Sequence, residues 1–219
     1  MKKYWAEFIG TYILVFVGCG AIIINSVTDG TVSHLGIGLS FGLVVMTMVY
    51  AIGDISGAHI NPAVTIAFAV AKRLDKKQIL PYVSFQIAGA ILASSTLFYM
   101  FPDTKTMGET LPLNDNIIQS FILEVILSFI LMFVILNVST GAKEKGITAA
   151  LAIGGVVAFS ATFAGPICGA SMNPARSIAP ALFGDMSFLW IYIVATILGA
   201  VLSVFACKLI QTDDCCDNC

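Results

Sequence analysis

Six long apolar segments are spaced along the 219-residue chain, separated by shorter stretches that are richer in polar residues. Each has close to the ~20 residues that an α-helix needs to cross the hydrocarbon core of a bilayer. Because a helix satisfies its own backbone hydrogen bonds in lipid, each segment predicts a membrane-spanning helix. The predicted spans are 5–25, 35–53, 79–101, 117–138, 147–164 and 188–210. The pattern therefore indicates an all-α membrane protein with six transmembrane helices.

Two further apolar segments, 63–71 and 175–183, are too short to cross a bilayer. Each is opened by the sequence Asn-Pro-Ala, in which Asn favours the N-cap of a helix and Pro the first helical position. We therefore predict two re-entrant half-helices that begin within the membrane, after Asn61 and Asn173. Irregular backbone at membrane depth is tolerated where it lines a wet cavity or is buried in protein, so these segments predict an aqueous path.

The chain repeats itself at a distance of 112 residues. Shifting it by this distance aligns Gly42 with Gly154 and places the first Asn-Pro-Ala on the second without a gap. Each half holds three predicted spans, an odd number, so the second half enters the membrane from the opposite face. This indicates an inverted 3+3 repeat. The predicted boundaries are 1–110 for the first repeat, 111–211 for the second and 212–219 for a Cys-rich cytoplasmic tail.

The composition argues against a soluble protein and against a nucleic-acid-binding protein. Hydrophobic residues make up 58% of the chain and charged residues 11%, with a mean hydropathy of +0.94, and soluble domains carry more than twice that share of charge. The net charge of −2 provides no basic surface for a phosphate backbone. Neither of the two His is placed for catalysis or metal binding, so we expect no enzyme, no cofactor and no metal.

Lys and Arg cluster in alternate connections, which is the arrangement expected of cytoplasmic loops. They are found at Lys2, Lys3, Lys72, Arg73, Lys76, Lys77, Lys143, Lys145 and Lys208. In the connections on the opposite side, Lys105 is the only lysine or arginine residue. We therefore expect a multi-pass protein of the cell membrane with both termini in the cytoplasm.

The two half-helices are predicted to meet at the middle of the membrane, N-terminus to N-terminus, because the inverted repeat brings them in from opposite faces. Each N-terminus carries about half a positive elementary charge. A cation that has lost much of its hydration is repelled there, whereas a neutral solute is not. The amides of Asn61 and Asn173 are expected to donate hydrogen bonds to a passing oxygen and to interrupt a proton-conducting chain of water.

Ionisable residues inside apolar segments are costly, so each needs a role. Arg176 follows the second Asn-Pro-Ala, and its counterpart in the first repeat is Val64, so we expect Arg176 to have a function at a cavity. Glu7 and Glu124 occupy corresponding positions in the first and fourth spans. We interpret both as acceptors for the loops before the half-helices, and His59 as a residue that fixes the first of these loops.

Three segments carry a resemblance to a known family: SGAHINPAVT at 56–65, CGASMNPARS at 168–177 and AEFIGT at 6–11. They are similar to segments of the major intrinsic proteins, the family of aquaporins and aquaglyceroporins, and the likeness covers nearly the whole chain. The resemblance implies a right-handed bundle of six helices with two re-entrant half-helices, one pore in each subunit and a homotetramer in the lipid bilayer. It also implies a passive channel for water and small neutral solutes.

The resemblance further implies a narrow selectivity ring toward the outside, at the positions of Phe41, Ala161, Ala170 and Arg176. Water-selective members usually carry His where this chain has Ala161, and a methyl group there predicts a wider and more apolar ring. Tyr192 with Ile193, and the segment 164–177, resemble the nodulin-26-like branch. We therefore expect permeation by water, glycerol-like polyols, urea and metalloid hydroxides such as boric or arsenous acid.

Two alternatives remain open at this point. Ser177 and Ala181 resemble the residues of water channels, which favours a strictly water-selective pore. Inverted repeats with broken helices are also typical of secondary transporters, whose flux saturates and couples to an ion.

Four cysteines form a candidate thiol site: Cys168 before the second half-helix, and Cys215, Cys216 and Cys219 in the tail. Thiolates in the tail suit a soft metal or arsenite, but their spacing does not match a four-ligand zinc site. The alternative for the tail is a solubilising segment without a ligand. Cys168 is a candidate for block by mercurials if its sulfur reaches the vestibule.

Overall fold

The structure is a computed structural model that describes residues 1–139 and 143–210, the side chains of 143–147 excepted. The described residues form eight α-helices and two short 3₁₀ turns, with no strand. The helices are α1 (Lys2–Val27), α2 (Ser33–Ser56), α3 (Pro62–Val70), α4 (Ile79–Met100), α5 (Ile117–Val138), α6 (Lys143–Cys168), α7 (Pro174–Ala181) and α8 (Leu189–Ile210). All except α3 and α7 are long and apolar enough to cross a membrane. The predicted all-α membrane fold is thereby confirmed.

The observed helices follow the predicted spans, and α6 differs most in its bounds. It runs from Lys143 to Cys168, where the apolar pattern predicted 147–164. Its last turns contain Pro166, which has no backbone N–H to bond the carbonyl of Thr162. His34 Nε2 from α2 donates to that carbonyl at 2.6 Å. A hydrogen bond from a neighbouring helix therefore replaces the one that the proline removes.

Glycines let the spans approach each other closely, in the same way in both repeats. A Cβ on Gly42 of α2 would lie 2.6 Å from the carbonyl oxygen of Gly154 of α6, and a Cβ on Gly154 would lie at the same distance from the Gly42 carbonyl. Gly89 of α4 and Gly199 of α8 lie against backbone carbonyls of α1 and α5 in matching contacts. Small residues are the usual means of close helix packing in membranes. The contact of α1 with α4 is thus packed like that of α5 with α8.

The half-helices α3 and α7 connect the two halves. α3 packs against α8 of the second half as well as against α4, and α7 packs against α4 of the first half as well as against α8. With nine and eight residues they extend about 12–14 Å, which is less than half of the ~30 Å hydrocarbon core. α3 and α7 also contact one another. Their N-terminal ends therefore lie inside the bundle.

Candidate functional site

Both half-helices begin at an asparagine whose side chain caps the helix. Asn61 Oδ1 accepts a hydrogen bond from the backbone N–H of Ala63 at 2.9 Å, and Asn173 Oδ1 accepts one from that of Ala175 at 3.0 Å. A proline follows each asparagine at the first helical position, where an N–H is not needed. The Asn-Pro-Ala sequence therefore starts each helix through an N-cap bond and a pre-set proline.

The same two asparagines join the repeats. Asn61 Nδ2 donates to the carbonyl of Met172 at 2.7 Å, and Asn173 Nδ2 donates to the carbonyl of Ile60 at 2.9 Å. Each side chain thus accepts a hydrogen bond from its own helix through its oxygen. Through its nitrogen it donates one to the loop that precedes the other helix. The structure brings the two predicted midpoint residues together in one reciprocal pair of bonds.

Glu7 and Glu124 hold the loops that precede the half-helices. The two carboxyl oxygens of Glu7 accept hydrogen bonds from the backbone N–H groups of His59 and Ile60, at 2.9 and 2.6 Å. Glu124 accepts the two corresponding bonds in the second loop, at 2.7 and 2.9 Å. Both carboxyl groups are fully buried. The bonds lie where acceptors for the loops are expected from the sequence.

The two loops share an unusual backbone conformation. Three residues in each take positive φ: Gly57, Ala58 and Ile60 in the first, and Gly169, Ala170 and Met172 in the second. Residues with a side chain rarely adopt this region, and a β-branched residue such as Ile60, with φ at 43°, is a genuine outlier there. Strain of this kind persists only where surrounding contacts over-determine it. The paired bonds to each glutamate are contacts of that kind.

One cavity of about 130 Å³ has both asparagines in its wall. The four residues of the predicted selectivity ring, Phe41, Ala161, Ala170 and Arg176, line it as well. His59 lines it from the first loop, with its ring stacked on Phe68 and its Nδ1 3.1 Å from Thr65 Oγ1. Most of the remaining wall is aliphatic, formed by Leu14, Val45, Val49, Ala58, Ile60, Val64, Leu131, Ile135, Ala149, Ile153 and Val157. Polar groups are therefore confined to a few places along an apolar surface.

Arg176 is 2% exposed and reaches the cavity wall from α7. Its Nη1 donates to the carbonyl of Gly108 at 2.6 Å, in the connection between α4 and α5. The guanidinium carbon lies 4.9 Å from the centroid of the Phe41 ring, which is a cation–π contact. Nε has no hydrogen-bond partner among the described residues. A positive charge is therefore fixed beside an aromatic ring at one place in the wall.

The connection between α4 and α5 is bonded to the base of α7 a second time. Thr110 Oγ1 donates to Ser177 Oγ at 2.8 Å, and Ser177 Oγ lies 2.6 Å from Ser171 Oγ in the second loop. Ser171 Oγ donates in turn to the carbonyl of Asn173 at 2.9 Å. The connection, the second loop and the first turn of α7 thus form one hydrogen-bonded unit around Arg176.

Known proteins share this architecture. A family model of the major intrinsic proteins matches residues 1–207. The chain belongs to the major intrinsic protein family. Aquaporin NIP1-1 of Zea mays is 46% identical to it over 96% of this chain and 75% of its own length. Aquaporin NIP1-2 of Arabidopsis thaliana is 43% identical over 98% of this chain and 76% of its own length.

A solved structure of the same family has the same fold. The aquaglyceroporin from Plasmodium falciparum superposes with a TM-score of 0.82 at 27% sequence identity, covering 95% of this chain and 96% of that chain. The resemblance seen in the sequence motifs is confirmed by these matches. As a major intrinsic protein, the chain is a membrane channel for water and small solutes and is not an enzyme.

The predicted thiol site is only partly within the described residues. Cys168 is fully buried at the end of α6, where its Sγ lies 3.5 Å from the carbonyl of Ala164. The sulfur is therefore packed inside the protein, and Cys168 is not among the residues that line the cavity. Cys215, Cys216 and Cys219 lie outside the described residues.

Three residues complete the site without belonging to any recognised motif: Gln86, Gly108 and Thr110. Gln86 of α4 is fully buried, and its Nε2 donates to Glu7 Oε2 at 2.7 Å and to Thr65 Oγ1 at 3.0 Å. An amide inside an apolar span is a signal that the sequence does carry, because polar residues there are costly and functional. Gly108 and Thr110 carry no comparable signal, since they lie in an irregular connection.

Proposed function

We propose that this channel passes water together with small uncharged solutes, namely glycerol-like polyols, urea and metalloid hydroxides such as boric or arsenous acid, and excludes ions and protons. The observation that carries the proposal is that a methyl group, Ala161, lines the cavity together with Phe41 and Arg176. A polyol needs room, an apolar wall for its carbons and a donor for its oxygens. These three residues offer each of those features, and the structural likeness to an aquaglyceroporin supports the wider solute range.

The asparagine pair orients the solute at the midpoint of the pore. Each amide nitrogen carries two hydrogens, and one of them is used in the bond to the opposite loop, so Asn61 and Asn173 each keep one for a passing oxygen. A water molecule that accepts both bonds has no lone pair left for its neighbours, and the proton-conducting chain is interrupted. The positive N-terminal ends of α3 and α7 add an electrostatic barrier to cations.

The ring forms the second barrier. The guanidinium of Arg176 has five N–H donors, and its bond to Gly108 leaves others to hold a solute oxygen. Its fixed charge repels cations, as in other pores of this kind. Phe41 and Ala161 face the carbon atoms of the solute, and Ala170 lines the same cavity from the second loop.

Basic residues after α3 support an orientation with both termini in the cytoplasm of a cell-membrane protein. Arg73 Nη1 donates to the carbonyl of Leu136 and to Ser139 Oγ, so the ends of α3 and α5 lie at one face. Tyr4 Oη donates to Gln78 Oε1, so the start of α1 lies beside the same segment, which supports this orientation for the N-terminus. Cytoplasmic loops are enriched in cations, and this segment carries Lys72, Lys76 and Lys77. The repeats 1–110 and 111–211 form one pore in each subunit of the proposed homotetramer.

Stopped-flow light scattering on proteoliposomes tests the proposal, with protein-free liposomes as the reference. We expect the protein to accelerate shrinkage in an impermeant osmolyte and re-swelling in glycerol, urea and boric acid, with linear dependence on the gradient. Sodium and proton fluxes, followed with trapped indicators, should match those of empty liposomes. Acceleration for water alone would replace the proposed range by strict water selectivity. Saturating, ion-coupled flux would indicate a secondary transporter, and ready leakage of sodium would refute the barrier.

A further inference from the structure

Two neighbouring residues of α1, Gly18 and Cys19, lie behind the ring. Neither is among the residues that line the cavity, and both are buried. Gly18 faces Phe41, and Cys19 faces Arg176. One turn of α1 therefore contacts the two largest side chains of the selectivity ring from outside the cavity.

Gly18 leaves no space between α1 and the Phe41 ring. A Cβ built on Gly18 would lie 2.5 Å from both Cδ1 and Cζ of Phe41 and closer still to Cε1, whereas ordinary contact begins at 3.4 Å. The aromatic ring therefore lies directly on the helix backbone at this glycine. The other side of Phe41 forms part of the cavity wall. The contact with Gly18 therefore sets how far the aromatic ring of Phe41 extends into the cavity.

Cys19 occupies the corresponding place behind Arg176. Its Sγ lies 3.6 Å from Arg176 Nη1 and 3.9 Å from the carbonyl oxygen of Gly108, which itself accepts from Nη1 at 2.6 Å. A Cβ on Gly108, whose φ is +75°, would lie 3.0 Å from Cys19 Cβ. The sulfur, the carbonyl and the guanidinium are thus packed together, and the size of residue 19 limits how far the guanidinium can withdraw toward α1.

The other repeat carries a different combination of sizes at the equivalent positions. Glu7 and Glu124 correspond at a distance of 117 residues, and the same distance leads from Gly18 to Ile135. The counterpart of Phe41, 112 residues later, is Ile153. Both isoleucines line the cavity. A large aromatic side chain with a glycine behind it in one repeat thus corresponds to two side chains of equal size in the other.

From these contacts we propose that Gly18 and Cys19 are specificity-determining positioning residues. Gly18 sets the width of the opening by letting Phe41 withdraw against α1, and Cys19 sets the reach of Arg176. This rests on the proposed function, because it assigns to α1 the control of a ring that selects among solutes.

The variant Gly18→Ala tests the first contact. The added Cβ requires the aromatic ring of Phe41 to move by more than an ångström. The cavity offers the open space for this movement, so the ring should move into it. We expect the ratio of glycerol to water permeability in proteoliposomes to fall about fivefold, since pore width decides which solutes pass. The matched control is Gly20→Ala on the same helix, whose Cβ would lie 3.3 Å from the flexible end of Leu97. Its ratio should equal that of the unmodified protein.

A second change separates positioning from damage to the fold. In Gly18→Ala/Phe41→Leu the smaller side chain makes room for the new Cβ, so the glycerol-to-water ratio should equal that of Phe41→Leu alone. For Cys19, the variant Cys19→Ser keeps a small acceptor and should preserve the ratio. Cys19→Ala removes the sulfur that Arg176 Nη1 contacts, so the guanidinium is no longer held toward this side. The glycerol-to-water ratio should therefore change about twofold.

The outcomes discriminate between this inference and the proposed function. A folded Gly18→Ala protein with an unchanged ratio would overturn the inference while leaving the solute range intact. If Gly18→Ala does not fold, the double variant Gly18→Ala/Phe41→Leu provides the test. Recovery of both folded protein and glycerol flux would support the inference. Loss of one or both would overturn it. If the unmodified protein passes no glycerol, the proposed range fails, and the same variants are then compared by water permeability. A fall in Gly18→Ala that Phe41→Leu reverses would support the inference, and no fall would overturn it.

Discussion

The two repeats present matching backbone positions to one cavity and fill them with different side chains. The ring of Phe41, Ala161, Ala170 and Arg176 corresponds, at a distance of 112 residues, to a counterpart group of Ile153, Val49, Ala58 and Val64. All eight residues line the cavity. The counterpart group contains neither an aromatic ring nor a charge. The shared scaffold therefore carries an aromatic ring and a positive charge in one group and aliphatic side chains in the other, which supports the proposal that the first group selects among solutes.

The supports behind the two loops differ as well. In the first repeat, the Glu7 carboxylate accepts a further bond from Gln86, which also donates to Thr65. In the second repeat, Glu124 has a side-chain hydrogen bond with Cys168, as Glu7 has with Ser56, but the further bond from Thr110 of the α4–α5 connection reaches Ser177. Each loop is thus bonded to a glutamate and to the half-helix that follows it, and the repeats differ in the side chain that donates to that half-helix from outside, Gln86 of α4 in the first and Thr110 of the α4–α5 connection in the second. This difference makes the two repeats unequal in ways that substitutions can expose.

The largest expected effect is loss of a glutamate. Glu7→Leu and Glu124→Leu each orphan two backbone N–H groups and remove one side-chain partner, from Ser56 or from Cys168. Glu7→Leu in addition leaves one hydrogen of Gln86 without its acceptor. An orphaned buried donor costs roughly 1–3 kcal/mol, so both variants should unfold at lower temperature, Glu7→Leu the more so. Thermal unfolding in detergent measures the ranking.

The matched control for the glutamates is Ser94→Ala. The Ser94 hydroxyl is buried on α4 and has no hydrogen-bond partner among the described residues, so its removal should leave the unfolding temperature nearly unchanged. Equal shifts for Glu7→Leu and Glu124→Leu would contradict the additional role assigned to Gln86.

A second pair of substitutions tests the part of the scaffold that is the same in both repeats. Gly89→Ala and Gly199→Ala each place a methyl group against a backbone carbonyl of the adjoining span. Overpacking of this kind typically costs about 1–3 kcal/mol. We expect two similar decreases in unfolding temperature, with Gly155→Ala as a control, since a Cβ there meets nothing within 4 Å. A large difference between the two variants would show that the repeats are not packed alike.

Replacing Arg176 by its counterpart residue removes the clearest difference between the two groups. Arg176→Val should leave the fold intact, because it removes a buried charge and inserts the side chain that the other repeat carries at Val64. Without the fixed charge and its donors, we expect sodium leakage and about a tenfold rise in the flux of larger neutral solutes such as erythritol. Val64→Ala is the matched control. Unchanged selectivity in a liposome swelling assay would remove Arg176 from the ring.

The scaffold and the centre of the pore could be predicted from the sequence because local physics fixes them. Span length follows from bilayer thickness, and Asn61 and Asn173 start helices through caps that need no distant partner. Glu7 and Glu124 could be predicted as acceptors for the loops because ionisable residues in apolar spans are costly, but the contacts behind the selectivity ring could not be predicted. Contact of Gly18 with Phe41 depends on the relative rotation of α1 and α2, and the bond between Arg176 and Gly108 depends on the path of an irregular connection. Neither is encoded in a spacing.

The smallest expected effect concerns the width of the ring and separates solute choice from water flow. Ala161→His replaces a methyl group by an imidazole in the cavity that Phe41 and Arg176 also line, which should narrow the ring and add a donor. Glycerol or arsenite flux should fall about threefold more than water flux, since a water molecule still fits and gains a hydrogen bond. Val49→His adds the same side chain at the counterpart position, where Val64 stands in place of the arginine, and should lower both fluxes alike. An equal fall of both fluxes in Ala161→His would place Ala161 outside the ring and leave solute choice to Arg176 and Phe41.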